Sequence, residues 1–329
     1  MILGIECTAH TFGIGISHKK NIIANVKDMY TTESGGIIPV ESAKHHHFIA
    51  DSIYNKALAL AKVSENQIEA IALSTAPGLA PCLLEGLRFA KNKSNILNIP
   101  LIPVHHCIAH LEIGQRMGAS EPVLLYVSGA NTQIIAFSGG KYRVFGETLD
   151  LGVGNFIDKV ARYMGLGFPG GPKIEKLAID SIKMNKPYIE LPYSIKGMDV
   201  SFSGMQTKIQ QLFDKGFGAE ELSFSLQETA FAMLVESTER AMAHIGKKEL
   251  VLGGGVACNQ RLQEMCEIMC RERKAKFFCP PREFLLDNGA MIAYTGELMF
   301  NAGIYKKPAD VDIFPRQRTD QVTVTWRYG

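Results

Sequence analysis

One pattern occurs twice in this chain and limits its folds more than any other feature. Residues 2–6 and 12–17 are short apolar strands on either side of Cys7-Thr8-Ala9-His10-Thr11, and residues 122–127 and 132–137 repeat the arrangement around Ser128-Gly129-Ala130-Asn131. Each reads as a hairpin with small, hydroxyl-bearing residues at its tip. Two halves opened by one motif predict two related lobes, and 329 residues is a length for two domains rather than one. Helices follow each hairpin. The run 41–62 puts Ile49, Ile53, Ala57 and Leu60 on one face, and 221–245 does so with Leu222, Leu226, Phe231, Leu234 and Ala241. A strand at 249–252 ends in Gly253-Gly254-Gly255, followed by a helix at 260–273, a strand at 275–279 and a helix at 290–298. Strands mixed with helices make the fold class α/β. Gly152-Val153-Gly154-Asn155, the turn-rich stretch 165–172 and the polar segment to about Gly204 read as a loop-rich insert at about 152–205 that carries ligand contacts.

Charge and hydropathy exclude whole classes of function. Hydrophobic residues are 46% of the chain and charged residues 21%, which supplies a packed core and no membrane span of eighteen or more apolar residues. The first seven residues lack the basic start of a signal peptide, so the expected location is soluble and cytoplasmic. Lys plus Arg number 35 against 33 for Asp plus Glu, a net +2; binding of a polynucleotide then needs a local patch or a partner. Seven cysteines, an odd count without Cys-x-x-Cys, read as reduced core thiols. His45-His46-His47 reads as a solvated helix face, with one member lining a site as the alternative, and the basic runs 88–93 and 271–276 read as solvated faces rather than RNA contacts.

Four places carry chemistry. His106 and His110 are four apart, so on a helix both imidazoles face one ion; the alternative is a pair of ordinary polar or capping histidines. A zincin peptidase would have its general-base Glu directly after the first His, and here that position is Cys107. The two hairpin tips bring backbone N–H groups and the hydroxyls of Thr8, Thr11, Ser128 and Thr132 to where an anion could sit, although either alone is also an ordinary turn. Gly253-Gly254-Gly255-Val256-Ala257-Cys258-Asn259 puts glycines between a strand and a helix, a place for a nucleotide or simply a tight turn. Asp287-Asn288-Gly289 offers a carboxylate ligand or a helix cap.

Taken in order, Gly4-Ile5-Glu6-Cys7-Thr8-Ala9-His10, His106-x-x-x-His110, Tyr126-Val127-Ser128-Gly129-Ala130-Asn131-Thr132-Gln133, Gly253-Gly254-Gly255-Val256-Ala257-x-Asn259 and Asp287-Asn288-Gly289-Ala290-Met291-Ile292-Ala293 closely resemble the universal tRNA threonylcarbamoyladenosine transferase family, in its archaeal and eukaryotic KEOPS branch. The likeness runs nearly the whole chain and ends in an archaeal-looking Arg318-Thr319-Asp320-Gln321-Val322. It implies a duplicated ASKHA fold, that of actin, sugar kinases and the Hsp70 ATPase, with the ligand between lobes. The implied lobes are 1–116 and 117–293, with 294–329 packing back on the first. The sequence departs from the family at Ala130, where a second Gly is usual, at Val40, where Arg is usual after Gly35-Gly36-Ile37-Ile38-Pro39, and at His105, where Asn is common.

By the same resemblance His106, His110, Tyr126 and Asp287 hold one metal ion, iron or zinc. His106, His110 and Asp287 then act in catalysis through it. Tyr126, Val127, Ser128, Gly129, Ala130, Asp158, Gly171, Glu175 and Asn259 would bind an adenine nucleotide, with Asp158 and Glu175 at the ribose. The implied activity is transfer of threonylcarbamoyl from threonylcarbamoyl-adenylate to the exocyclic amine of the adenosine beside the anticodon, in tRNAs reading codons that begin with A. The implied partners are tRNA, a small kinase or ATPase, a dimer-forming subunit on the N-terminal lobe and a tRNA-binding accessory protein. Two rivals share the cleft: a small-molecule kinase or ATPase using magnesium, and a nucleotide-sensing scaffold without catalysis.

Overall fold

The computed structural model describes residues 1–32 and 36–327; Gly35 lies outside them. The first half runs β1 (Ile2–Glu6), β2 (Thr11–His18), β3 (Asn21–Met29), α1 (Pro39–Ala61), β4 (Ala70–Ala76), α2 (Ala80–Leu97), β5 (Leu101–His105) and α3 (His106–Glu112). The second runs β6 (Val123–Val127), β7 (Thr132–Ser138), β8 (Lys141–Glu147), α4 (Val153–Tyr163), α5 (Gly171–Lys183), β9 (Ile195–Lys196), β10 (Asp199–Val200), α6 (Ser203–Asp214), α7 (Ala219–Ile245), β11 (Glu249–Gly253), α8 (Gln260–Glu272), β12 (Lys276–Phe278), α9 (Arg282–Leu285) and α10 (Gly289–Asn301). The main sheets are ordered β3-β2-β1-β4-β5 and β12-β11-β6-β7-β8, the same order read from opposite ends. In each, the opening meander is antiparallel and the strands beyond it are parallel. Parallel neighbours require crossovers, which α1 and α2 supply in the first half and α4 to α7, then α8, in the second. No helix among the described residues is long and apolar enough to cross a membrane.

The alternation within the first hairpin explains how its sheet is sandwiched. Leu3, Ile5, Phe12, Ile14 and Ile16 face α1 and α2 in one apolar cluster, so the intervening Gly4, Gly13 and Gly15 face the other way. There α10 lies almost on the backbone. A Cβ on Gly4 would stand 2.1 Å from the Ala293 nitrogen, and one on Gly15 2.3 Å from that of Ala290.

Thus the last helix of the second half covers the first sheet, and the converse also holds. Cys107, Ile108 and Leu111 of α3 pack with Leu124, Tyr126, Ile135 and Val251 of the second sheet. The two exchanged helices touch each other between the lobes. Beyond α10 the chain first returns to the first sheet, where Lys306 bridges Leu101 and Phe314 donates to Thr75 O at 2.8 Å. It then crosses to the second, where Thr323 bridges Lys141.

Two local readings are corrected. The segment expected to be a Gly-rich loop at 152–155 is the start of α4: Gly152 caps it, and the Ser128 and Gly129 carbonyls accept from Gly154 and Asn155 at 3.1 and 2.9 Å. His46 is not solvated. It falls on the buried stripe of α1 with Ser42, Ala50, Ile53 and Ala57, its ring beside Phe12 and its Nε2 donating to Ala9 O at 2.9 Å. His45 and His47 do face outward, toward Asp28 and Glu85.

Candidate metal centre between the lobes

Helix α3 begins where β5 ends, so His106 is its first residue and His110 lies one turn on, with ring centroids 4.8 Å apart. Both are buried. Asp287 stands just ahead of α10, fixed by the next residue: Asn288 caps that helix by accepting from Met291 N–H at 2.9 Å. Asp287 Oδ1 lies 3.4 Å from His106 Nε2 and 3.5 Å from His110 Nε2. One donor atom from each of the three falls within 4.8 Å of the others. Tyr126, near the end of β6, completes the group with its hydroxyl 3.0 Å from His106 Nε2. Residues spread from 106 to 287 meet here because the exchanged helices cross at their N-terminal ends.

A residue not singled out from sequence orients the cluster. Glu6, fully buried at the end of β1, accepts from the Thr8 N–H at 2.8 Å and from its hydroxyl, and its other oxygen lies 2.9 Å from His106 Nδ1. A carboxylate only accepts, so Nδ1 carries the proton and Nε2 points at Asp287 and Tyr126. Burial opposes a charged imidazole, but Glu6, Tyr126 and Asp287 outweigh it and hold His106 well above the usual range. Burial likewise opposes ionised Asp287, yet His106 and His110 keep it well below the usual carboxylate range. His110 differs: burial pushes it down, and neither ring nitrogen has a hydrogen-bond partner.

That orphaned imidazole tests whether a metal belongs here. A buried polar group without a partner is costly, and a cation reached by His110 Nε2, His106 Nε2 and Asp287 Oδ1 would satisfy it. Two imidazoles, a carboxylate and a phenol suit a transition-metal ion without selecting iron or zinc. Lys27 of β3 reaches the same place, donating to Asp287 O at 2.9 Å.

Beside this cluster the second hairpin tip meets the Gly-rich turn. Gly254 has φ +92°, and a Cβ there would stand 2.3 Å from Val127 O; only glycine lets the two backbones touch. Ser128 closes its own turn, its hydroxyl accepting from Asn131 N–H at 3.1 Å, and Gly129 and Ala130 are exposed. Asp158 on α4 accepts from Gly170 N–H at 2.7 Å, and Gly171 opens α5 facing free space. Glu175 accepts from Gln260 N–H at 2.8 Å, next to Asn259, whose side chain caps α8 and donates to Gln227 at 2.9 Å. The sequence-derived nucleotide residues thus fall into two groups, the tip with its neighbouring Gly turn and a set of helix-terminal caps.

Residues 20–294 match the model of the TsaD family, tRNA N6-adenosine threonylcarbamoyltransferase. The chain belongs to this family. Among similar family members is the tRNA N6-adenosine threonylcarbamoyltransferase of Thermococcus kodakarensis, 53% identical over 325 residues, 98% of this chain and 99% of the relative. The fold reaches beyond the family. HypF in its phosphate- and nucleotide-bound form superposes with TM-score 0.62 at 14% identity, over 91% of this chain and 46% of that one. An activator of 2-hydroxyisocaproyl-CoA dehydratase from Clostridium difficile with bound ADPNP gives TM-score 0.53 at 11% identity, over 92% and 96%. The architecture is therefore the duplicated ASKHA fold expected from the sequence.

Proposed function

We propose that this chain transfers the threonylcarbamoyl group of threonylcarbamoyl-adenylate to the exocyclic N6 amine of a tRNA adenosine, the one beside the anticodon in tRNAs that read codons beginning with A. One observation carries the reading: a chain matching the transferase family over residues 20–294 gathers His106, His110, Tyr126 and Asp287 between its lobes. In the reaction a bond forms between N6 and the carbamoyl carbon, the carbon–oxygen bond to phosphate breaks, AMP leaves and the amine gives up a proton. The adenine amine is a weak nucleophile because its lone pair is delocalised into the ring, so the acyl group must be held in line with it.

His106, His110, Tyr126 and Asp287 are the residues that would hold an iron or zinc ion, which when bound supplies Lewis-acid stabilisation of charge on carbamoyl or phosphate oxygens. Glu6 keeps His106 in the tautomer that frees Nε2. The tip Ser128-Gly129-Ala130 and the turn Gly253-Gly254-Gly255 offer backbone for a phosphate, and Asp158 and Glu175 serve the ribose. With only +2 net charge over 329 residues, this chain has little excess positive charge toward the six to ten or so phosphate contacts of an independent polyanion binder. We therefore assign tRNA capture to an assembly with KEOPS-type subunits in the cytoplasm: a small kinase or ATPase, a tRNA-binding accessory protein and a dimer-forming subunit. The exposed apolar residues Val40 and Phe48 of α1 and Leu84 of α2 favour that last subunit docking on the first lobe.

The test is modification in vitro with defined tRNA and the adenylate donor, read by mass spectrometry of nucleosides, with and without the other subunits. The expected product is threonylcarbamoyladenosine, formed well only in the assembly. Phosphoryl transfer without this product would overturn the reading in favour of a kinase. Sub-micromolar tRNA binding by the isolated chain would overturn the dependence on partners.

A further inference from the structure

Glu112 is a buried charge for which the transfer site has no use. It is fully buried two residues beyond His110 on α3, and its carboxylate collects a full set of donors. These are the Tyr142 hydroxyl, the Gln115 amide, the Trp326 indole N–H at 2.9 Å, and Arg327 Nε and Nη2 at 3.2 Å each. Trp326 and Arg327 belong to a strap that crosses between the lobes. Within it Thr323 pairs with Lys141, and Val324 is buried against Cys107, Ile108 and Leu111 of α3. The Arg327 guanidinium also lies 5.3 Å from the ring centre of Tyr142. A cavity of about 310 Å³ opens beside the strap, lined in part by Lys20, Leu298, Trp326 and Arg327. Hydrogen bonds to Glu112, together with the packing of Trp326 against apolar clusters of both lobes, hold its end in place.

The strap thus grips the one helix that carries both histidines. At seven residues, α3 is too short to be rigid by its own hydrogen bonds. Asp287 sits on a different element, so a turn of α3 about its axis would swing His106 and His110 away from it, and a metal constellation tolerates only about 0.5 Å and 10–20° of such error. A buried carboxylate with fixed partners on the same helix resists that rotation, because any turn leaves the charge unpaired.

We propose that Trp326 and Arg327 are positioning residues which, through Glu112, hold α3 at the rotation that aims both imidazoles at Asp287. The proposal rests on the reading of His106, His110 and Asp287 as metal ligands. The test uses the full chain with Arg327→Gln, Arg327→Lys and Trp326→Phe, the last keeping an aromatic ring without its N–H. Two quantities are measured: hydrogen–deuterium exchange across residues 106–112 in metal-free protein, and Zn²⁺ affinity by competition with a chromophoric chelator. Arg327→Gln is expected to raise exchange in α3 about tenfold while α10 is unchanged, and to weaken Zn²⁺ binding about tenfold at the same stoichiometry. Trp326→Phe should move both in the same direction by less, and Arg327→Lys should recover part of the loss. Exchange and affinity within twofold of the parent, or a rise in exchange spread evenly over the chain, would overturn the proposal. Failure of the parent itself to bind Zn²⁺ would count against the metal reading, and exchange in α3 would still decide whether the strap holds the helix.

Discussion

Glu6 Oε2 stands 2.9 Å from His106 Nδ1 across 100 residues of sequence, and this pairing decides which face of the imidazole remains available. Glu6→Gln keeps the shape but turns an obligate acceptor into a group that can also donate, so the ring is no longer held in one tautomer. Metal affinity is expected to fall by about tenfold or more, with the fold retained. Calorimetric titration of Zn²⁺ into both proteins checks this; equal affinities would remove Glu6 from the site.

Metal binding should be proton-linked. In the metal-free protein His106 is held protonated well above the usual range, after burial has been overcome by Glu6, Tyr126 and Asp287, so an ion arriving at Nε2 must displace a proton. Affinity should therefore rise as pH rises, by about tenfold per unit while one proton is displaced. Titrations in two buffers of different ionisation enthalpy should report release of at least about one proton per ion near neutral pH, from His106 and from Tyr126 where it binds as phenolate, and no buffer dependence would contradict the assignment.

The two histidines should differ in what their loss costs the fold. His106→Ala leaves Glu6 buried with only Thr8 as donor and should lower stability by about 3 kcal/mol, whereas the ring of His110 has no hydrogen bond to lose. Both variants should lose tRNA modification. Denaturant melts beside modification assays separate the effects, and adding Glu6→Gln to His106→Ala should restore part of the stability.

Asp158 and Glu175 each hold a backbone amide, of Gly170 and Gln260 respectively. Asp158→Ala and Glu175→Ala should therefore cost about 1 kcal/mol of stability each. If they also take ribose hydroxyls, adenine-nucleotide affinity should drop about ten- to a hundredfold. A lower melting temperature with unchanged nucleotide affinity would leave them as caps alone.

His46 predicts acid sensitivity. Burial pushes its pKa from 6.5 to about 4, against the favourable bond to Ala9. Between those values the unfolded chain binds a proton that the folded chain refuses, so stability falls as pH drops from 6.5 toward 4, by about 3 kcal/mol in all. His46→Gln retains a donor for Ala9 O and does not titrate. Its melting temperature should fall less over that window than the parent's, and parallel curves would rule out His46 as the cause.

Much of this was legible in the chain because it is local or repeated. The paired hairpins give themselves away by alternation, and the four-residue spacing of His106 and His110 by helical geometry. Asp287 and Tyr126 joined them only through the family likeness, since spacing cannot bring residue 287 to residue 106. Glu6 left no local signal: an acidic residue ending an apolar strand acquires its role only when α3 arrives. His46 did leave one, because Ser42, His46 and Ala50 continue the apolar stripe of α1 at intervals of four; its polarity hid it among three consecutive histidines. The glycines at 152 and 154 suggested a loop but serve close contact, since a Cβ on Gly154 would stand 2.7 Å from Ser128 O. Which sheet a helix covers is a tertiary choice, so the exchange of α3 and α10 had no trace in periodicity.

That exchange makes the chain the covalent counterpart of a domain-swapped dimer. Each half surrenders a helix to the other, so neither half presents a finished surface alone: without α10 the first sheet would bare Gly4, Gly13 and Gly15, and without α3 the second would bare Leu124 and Val251. A cut in the stretch between Gly118 and Glu121, after α3, should yield two fragments that are poorly folded apart yet reassemble when co-expressed. The proposed ligands are divided the same way, with His106 and His110 in one fragment and Tyr126 and Asp287 in the other, so recovery of metal binding would itself report that the halves had found each other.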